Sequence, residues 1–234
     1  MGNSRQKIIR RTLLKGISST AVLATLTPHV AFARNRFLEE LELTPAMTEG
    51  PFFPDRLPLD TDNDLLIIND SLSSAVGEVT HLSGRVLSRA GVPVRNALVE
   101  IWQVDCHGAY LHSNGENPNN PNQRDTHFQG YGRFLTDLKG QYYFRTIKPV
   151  AYPGRAPHIH FSVTVNGRKV LSTQLLIRGH ELNERDQLLR AISKPSQRDL
   201  VLADFQPIPA SKIGELLARF DLIIGHTPQE AEHE

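Results

Sequence analysis

Short apolar runs rich in β-branched residues recur at residues 84–87, 97–102, 141–147 and 158–165, with glycines and prolines spread between them. Runs of this length, bounded by turn formers, predict strands rather than helices. Gly91-Val92-Pro93-Val94 predicts a turn joining two of them. The run at 158–165 alternates. If it is extended, His158 and His160 point to one face while Ile159, Phe161 and Val163 point to the other. Two later stretches, 182–192 and 211–220, follow a helical pattern instead. No segment repeats. The expectation is an all-β protein, a β-sandwich decorated by a few short helices.

Composition adds little to the fold but excludes some functions. The fifteen prolines and sixteen glycines suit a body with many turns. With 26 basic and 25 acidic residues and no long charge run, nothing points to nucleic acid or to bulk membrane adhesion. The lone Cys106 rules out an intrachain disulfide, and a buried, small apolar thiol is its simplest reading.

The start of the chain is different. Arg10-Arg11-Thr12-Leu13-Leu14-Lys15 follows a basic stretch containing Arg5 and Lys7, precedes a weakly apolar stretch, and leads to the small-x-small pattern Ala31-Phe32-Ala33. This predicts a twin-arginine export signal over residues 1–33, read by the twin-arginine translocase and cut after Ala33. The product would be periplasmic or extracellular. Ser18, Ser19, Thr20, Thr25, Thr27, Pro28 and His29 break the apolar stretch well short of the ~20 residues a membrane helix needs, so an integral membrane protein is not expected. Residues 34–234 remain as one domain, long enough for an ordinary core.

Candidate chemistry concentrates in Ala151-Tyr152-Pro153-Gly154-Arg155-Ala156-Pro157-His158-Ile159-His160-Phe161. Two imidazoles ~6.6 Å apart along one strand face can converge on a cation. Alone, the pair is equally consistent with half-exposed polar residues on an amphipathic sheet. Tyr152 and Tyr110 are potential oxygen ligands, which would make the site N2O2, and Arg155 is costly to bury unless it faces an anion. Tyrosinate needs a hard, strongly charged cation to bring its pKa of ~10 below neutrality, which argues for ferric iron. Zinc hydrolysis would want a third histidine or a carboxylate.

These residues resemble the intradiol ring-cleaving catechol dioxygenases. The resemblance runs from about Leu43 to about Ile224 through ordered blocks: TEGPFFPD at 48–55, LSGRVLSRAGVPVRNALVEIWQVDCHGAYLH at 82–112, FQGYGRFLTDLKGQYYFRTIKPVAYPGRAPHIHF at 128–161 and TQLLI at 173–177. It implies that residues 34–234 form an intradiol dioxygenase-like catalytic domain holding one mononuclear non-haem Fe(III). Tyr110 and His160 would be its equatorial ligands, and Tyr152 and His158 its axial ones. Arg155 and Gln174 would stand beside the substrate, and Tyr152 would take one of the protons of the diol. The implied substrates are a small aromatic diol and O2, and the implied product is a cis,cis-muconate-type dicarboxylate. Assembly into a homo- or hetero-oligomer is compatible with the family.

Other residues carry weaker expectations. Phe52 and Phe53 match the block that lines the pocket, Tyr131 is a further candidate to approach the substrate, and residues 112–124 form a polar loop. His107, His112 and His127 correspond to no ligand. Two rival readings stay open at this level: a non-catalytic exported β-sandwich binding module that kept the fold, and a zinc or copper enzyme built on His158 and His160.

Overall fold

The computed structural model describes residues 40–69, 71–113 and 124–225; the expected export signal lies outside them, as does most of the polar loop at 112–124. Among the described residues ten strands form two five-stranded sheets. They are β1 Val79–Ser88, β2 Leu98–Trp102, β3 Tyr131–Leu135, β4 Gln141–Ile147, β5 His158–Val165, β6 Arg168–Ile177, β7 Leu202–Ala203, β8 Phe205–Pro207, β9 Leu216–Arg219 and β10 Leu222–Ile224. In one sheet β1 pairs antiparallel with β4 along one edge, and along the other it pairs parallel with β9 and then β10. The order in the second sheet is β3-β2-β5-β6-β7.

The sheets meet over one apolar core. Leu82, Val86, Tyr142 and Phe144 come from the first sheet, and Val99, Ile101, Ile159, Phe161, Val163 and Leu175 from the second. Phe161 meets Tyr142 and Phe220 edge-on, at 6.0 and 5.0 Å between centroids, a geometry that aromatic quadrupoles favour. Gly84 has a local reason. A Cβ there would collide with the Phe220 carbonyl, which accepts the buried Tyr142 hydroxyl, so only glycine lets β1 pass under that contact.

β5 is central in its sheet and buried on both faces. Ile159, Phe161 and Val163 fill the core, as the alternation predicts, which sends His158 and His160 to the opposite face.

Two helical expectations change. Residues 182–192 divide into a 3-10 helix, Glu181–Glu184, and a short helix α1, Gln187–Ala191, because the Asp186 side chain caps a new helix start. A second short helix, α2, spans Pro195–Asp199. Residues 211–220 form no helix. Ser211 turns the chain by accepting from the N–H groups of Ile213 and Glu215, and β9 follows, with Leu216 and Ala218 buried and Leu217 half exposed. Its four residues satisfy period two once β1 offers a pairing edge, so tertiary pairing overrides the apparent helical spacing.

Candidate metal centre

Each side chain at the centre is delivered by a local device. His158 and His160 project from the first turns of pleat in β5. Registered pairing aligns His160 with Trp102 on β2 and with Gln174 on β6, so three residues distant in sequence form one row across the sheet. Trp102 stacks on the His160 ring at 4.7 Å and 7°.

Tyr152 and Arg155 begin and end a four-residue turn. Pro153 and the positive-φ Gly154 occupy its centre, and the Arg155 N–H donates to the Tyr152 carbonyl at 3.0 Å. Proline followed by a residue at φ +85° is the type II signature, which sets the first and fourth side chains beside each other. Tyr110 comes from a second turn built by Asp105. One carboxylate oxygen of this fully buried residue accepts from the N–H groups of His107 and Ala109, and the other from Asp125.

These devices converge three atoms. Tyr110 Oη lies 2.9 Å from His160 Nε2 and 3.3 Å from His158 Nε2, and the two Nε2 atoms are 3.2 Å apart. The Tyr152 ring stands edge-on to Tyr110 at 5.8 Å and tilted against His158 at 5.4 Å. His158 Nδ1 donates to the Ala156 carbonyl at 2.7 Å, which leaves the Nε2 lone pair facing inward. His160 Nδ1 is buried without a partner.

The electrostatics also suit a cation. Burial and the Arg155 guanidinium push His158 down to about 3, and burial with His158 and Arg155 holds His160 well below its ordinary value. Both imidazoles are therefore neutral and able to donate lone pairs. Burial raises the Tyr110 phenol well above its usual pKa, and the neighbouring Tyr152 raises it further. Only a strongly charged ion in contact would reverse this preference. Among the described residues no group of three or more His, Cys, Asp or Glu could hold a metal, so the tyrosines are needed to complete a ligand set. Two neutral imidazoles, with two phenols that a strongly charged ion could convert to phenolates, fit ferric iron better than zinc.

Arg155 stands beside this cluster. Its Nε donates to Asp186 at 2.9 Å, Nη2 to Gln174 Oε1 at 2.5 Å, and Nη1 lies 3.5 Å from His158 Nε2. Gln174 is fully buried, and its amide donates to the Thr48 carbonyl at 2.9 Å. The arm at 48–53 crosses here. Gly50, at φ +69°, comes within 3.9 Å of the His160 ring for its ideal Cβ position, Phe52 stacks on Tyr110 at 4.6 Å and 12°, and Phe53 meets Trp102 edge-on. A cavity of about 320 Å³ opens beside the centre, lined by Tyr152, Arg155, Leu182 and Arg185.

The structure thus brings Tyr110, Tyr152, Arg155, His158, His160 and Gln174 together. It directs Tyr131 elsewhere, since its hydroxyl donates to Glu100 at 2.6 Å. His112 pairs with the Gln129 carbonyl and His81 with Tyr143 and Glu215. Cys106 is half buried, not buried, and burial together with Asp105 and Asp125 pushes its thiol up, away from reactivity. Sequence reasoning missed Asp105, Asp186 and the stacking role of Trp102. The Asp186 signal was present as a helix-capping aspartate before an apolar pair.

The chain is similar to known dioxygenases in sequence and in fold. A family model described as Dioxygenase matches residues 48–223. The protocatechuate 3,4-dioxygenase beta chain of Burkholderia cepacia is 35% identical over 175 residues, covering 70% of this chain and 71% of that one. The hydroxyquinol 1,2-dioxygenase of Nocardioides simplex is 28% identical over 188 residues, covering 72% of this chain and 57% of that protein. Among solved structures, the dioxygenase domain of a dioxygenase carbohydrate-binding protein fusion from Streptomyces sp. SirexAA-E is 30% identical, with a TM-score of 0.60 over 80% of this chain and all of that one. An intradiol ring-cleavage dioxygenase from Tetranychus urticae, at 20% identity, shares the fold with a TM-score of 0.61 over 82% of this chain and 98% of that one.

Proposed function

The chain belongs to the intradiol ring-cleaving dioxygenase family, and from that premise we propose that it opens a catechol-type ring between the two hydroxyl-bearing carbons. O2 and one non-haem ferric ion would be used, and a cis,cis-muconate-type dicarboxylate formed. The observation that carries this reading is the meeting of Tyr110 Oη, His158 Nε2 and His160 Nε2 within 3.3 Å of one another, beside Tyr152. Tyr110, Tyr152, His158 and His160 would hold the ion. When bound, such an ion supplies Lewis acidity and a template for the diol and O2.

The surrounding residues have separable tasks. His158 is oriented by the Ala156 carbonyl and keeps its inner nitrogen unprotonated. Tyr152 is suited to move a proton because it lines the cavity, whereas Tyr110 is clamped beneath Phe52 and does not. Held as a phenolate by the bound ion, Tyr152 would be able to take one of the diol's protons on Oη and become a neutral phenol. Arg155 presents Nη1 to the inner nitrogen of His158 at 3.5 Å, from where it would stabilise negative charge that develops on the reacting oxygens. Gln174 fixes the second nitrogen of that guanidinium. Phe52, Trp102 and the Tyr110 ring exclude water from one side.

The N-terminal pattern around Arg10 and Arg11 supports the further proposal that this chemistry takes place outside the cytoplasm. The twin-arginine route moves folded proteins, so a centre assembled inside would survive the passage. No helix among the described residues is long and apolar enough to cross a membrane.

The deciding experiment is a visible spectrum of the purified protein with iron quantification, then anaerobic catechol, then air. A reddish tyrosinate-to-iron band that shifts with catechol and recovers as a ring-opened dicarboxylate appears is the expected result. A protein that stays colourless after ferric reconstitution would overturn the assignment.

A further inference from the structure

We infer that Asp186 is the positioning residue that fixes Arg155 for the reaction, an inference that rests on the ring-cleavage reading above. A capping aspartate needs only one oxygen, and here Oδ1 serves that purpose, accepting from the N–H groups of Leu188 and Leu189 at 3.1 Å each. Oδ2 is used differently. It accepts from Arg155 Nε and from the Ala156 N–H, both at 2.9 Å. One fully buried carboxylate thereby ties α1 to the turn that carries Tyr152 and Arg155.

The guanidinium is consequently held on two edges. Asp186 takes Nε, and Gln174, itself anchored on the Thr48 carbonyl, takes Nη2. The remaining nitrogen, Nη1, is the one 3.5 Å from His158 Nε2. The planar fork of arginine cannot rotate Nη1 away without breaking both outer bonds. Arg155 is still partly open to solvent, with 17% of its side chain exposed, so it would have somewhere to go if Asp186 released it. Preorganised donors cost no reorganisation as charge develops, which is why holding this fork matters for rate.

The test is a double-mutant cycle on the full chain loaded with ferric iron and supplied with catechol and O2. Asp186→Asn offers one acceptor oxygen where four donors converge, so it should lower kcat by about 10- to 100-fold with KM changed less. In an Arg155→Ala background the same change should cost no more than about twofold, because the group it positions is gone. Arg155→Lys should fall close to Arg155→Ala, since one ammonium cannot reach Asp186, Gln174 and the centre together. That variant leaves the helix cap untouched and decides the question if Asp186→Asn does not fold. A readout independent of iron and turnover is the Arg155 Nε–H resonance of the metal-free protein. It should be resolved and slow to exchange, and lost in Asp186→Asn. Additive losses in the cycle, wild-type rates in Arg155→Lys, or an unchanged Nε–H signal would overturn the inference while leaving ring cleavage intact. A ferric wild type that does not cleave catechol would overturn the ring-cleavage reading itself and this inference with it.

Discussion

His158 and His160 hold their Nε2 atoms 3.2 Å apart, with the Tyr110 hydroxyl against both. Because the Ala156 carbonyl fixes the proton of His158 on Nδ1, one inward lone pair is permanent. Bringing buried lone pairs together costs free energy that a bound cation would recover, and the consequences can be measured.

Tyr110→Phe and His160→Ala each remove a proposed ligand and should lower iron content as well as activity. Arg155→Ala should keep most of the iron and slow turnover by about 100-fold, in line with the loss of one preorganised donor. Iron quantification beside kcat separates the two outcomes. Equal iron loss in all three variants contradicts this division of roles.

Phe52→Ala removes the ring stacked on Tyr110. We expect about 1–2 kcal/mol of stability to go, from the aromatic pair and its buried area. Iron should also be extracted faster by a chelator, because water gains access to the phenol. An unchanged extraction half-time would show that the arm does not guard the centre.

Acid should destabilise the metal-free protein in two stages. His158 and His160 are held below the unfolded value of ~6.5, so between that pH and the folded value of about 3 for His158 the unfolded chain binds more protons and stability falls as pH falls. Asp186 adds to this at lower pH. Burial would raise its pKa, but the N–H groups of Ala156 and Leu189 and the Arg155 guanidinium more than offset that and hold it below the ordinary carboxylate value. Its contribution is complete above the unfolded value of ~3.9 and is lost as pH falls through the folded one. A Tm series from pH 7.5 to 4 should drop by at least about 5 °C, and His158→Gln should make that drop smaller. A flat profile in the unsubstituted protein would contradict the burial argument.

A fusion of residues 1–40 to a reporter should be exported, and changing Arg10 and Arg11 together to Lys should abolish export. Cellular fractionation gives the answer directly. Retention of the first fusion in the cytoplasm, or export of the second, would remove the localisation proposal.

Much of this protein was legible in its residues because the signals were local. The alternation at 158–165 assigns His158 and His160 to one face and Ile159, Phe161 and Val163 to the core, and strand geometry makes that assignment unavoidable once the segment is extended. Tyr152-Pro153-Gly154-Arg155 also carries a type II turn signature that sets its end residues side by side, a local signal that sequence reasoning passed over. Ser211 to Phe220 shows the limit: a short apolar pattern fits either period until a neighbouring strand offers its edge, and β1 does.

What only the tertiary structure decided are the long-range pairings. Nothing in the spacing says that Trp102, His160 and Gln174 share one row, that Phe52 returns to cover Tyr110, or that Asp186 reaches back 31 residues to Arg155. Those depend on strand register and on which buried donors remain unpaired after the backbone is satisfied, quantities settled by the whole fold at once. The residues able to make a metal centre were therefore determined by the sequence, and their convergence by strand register and by the turns and arm that pack on the outer face of β5.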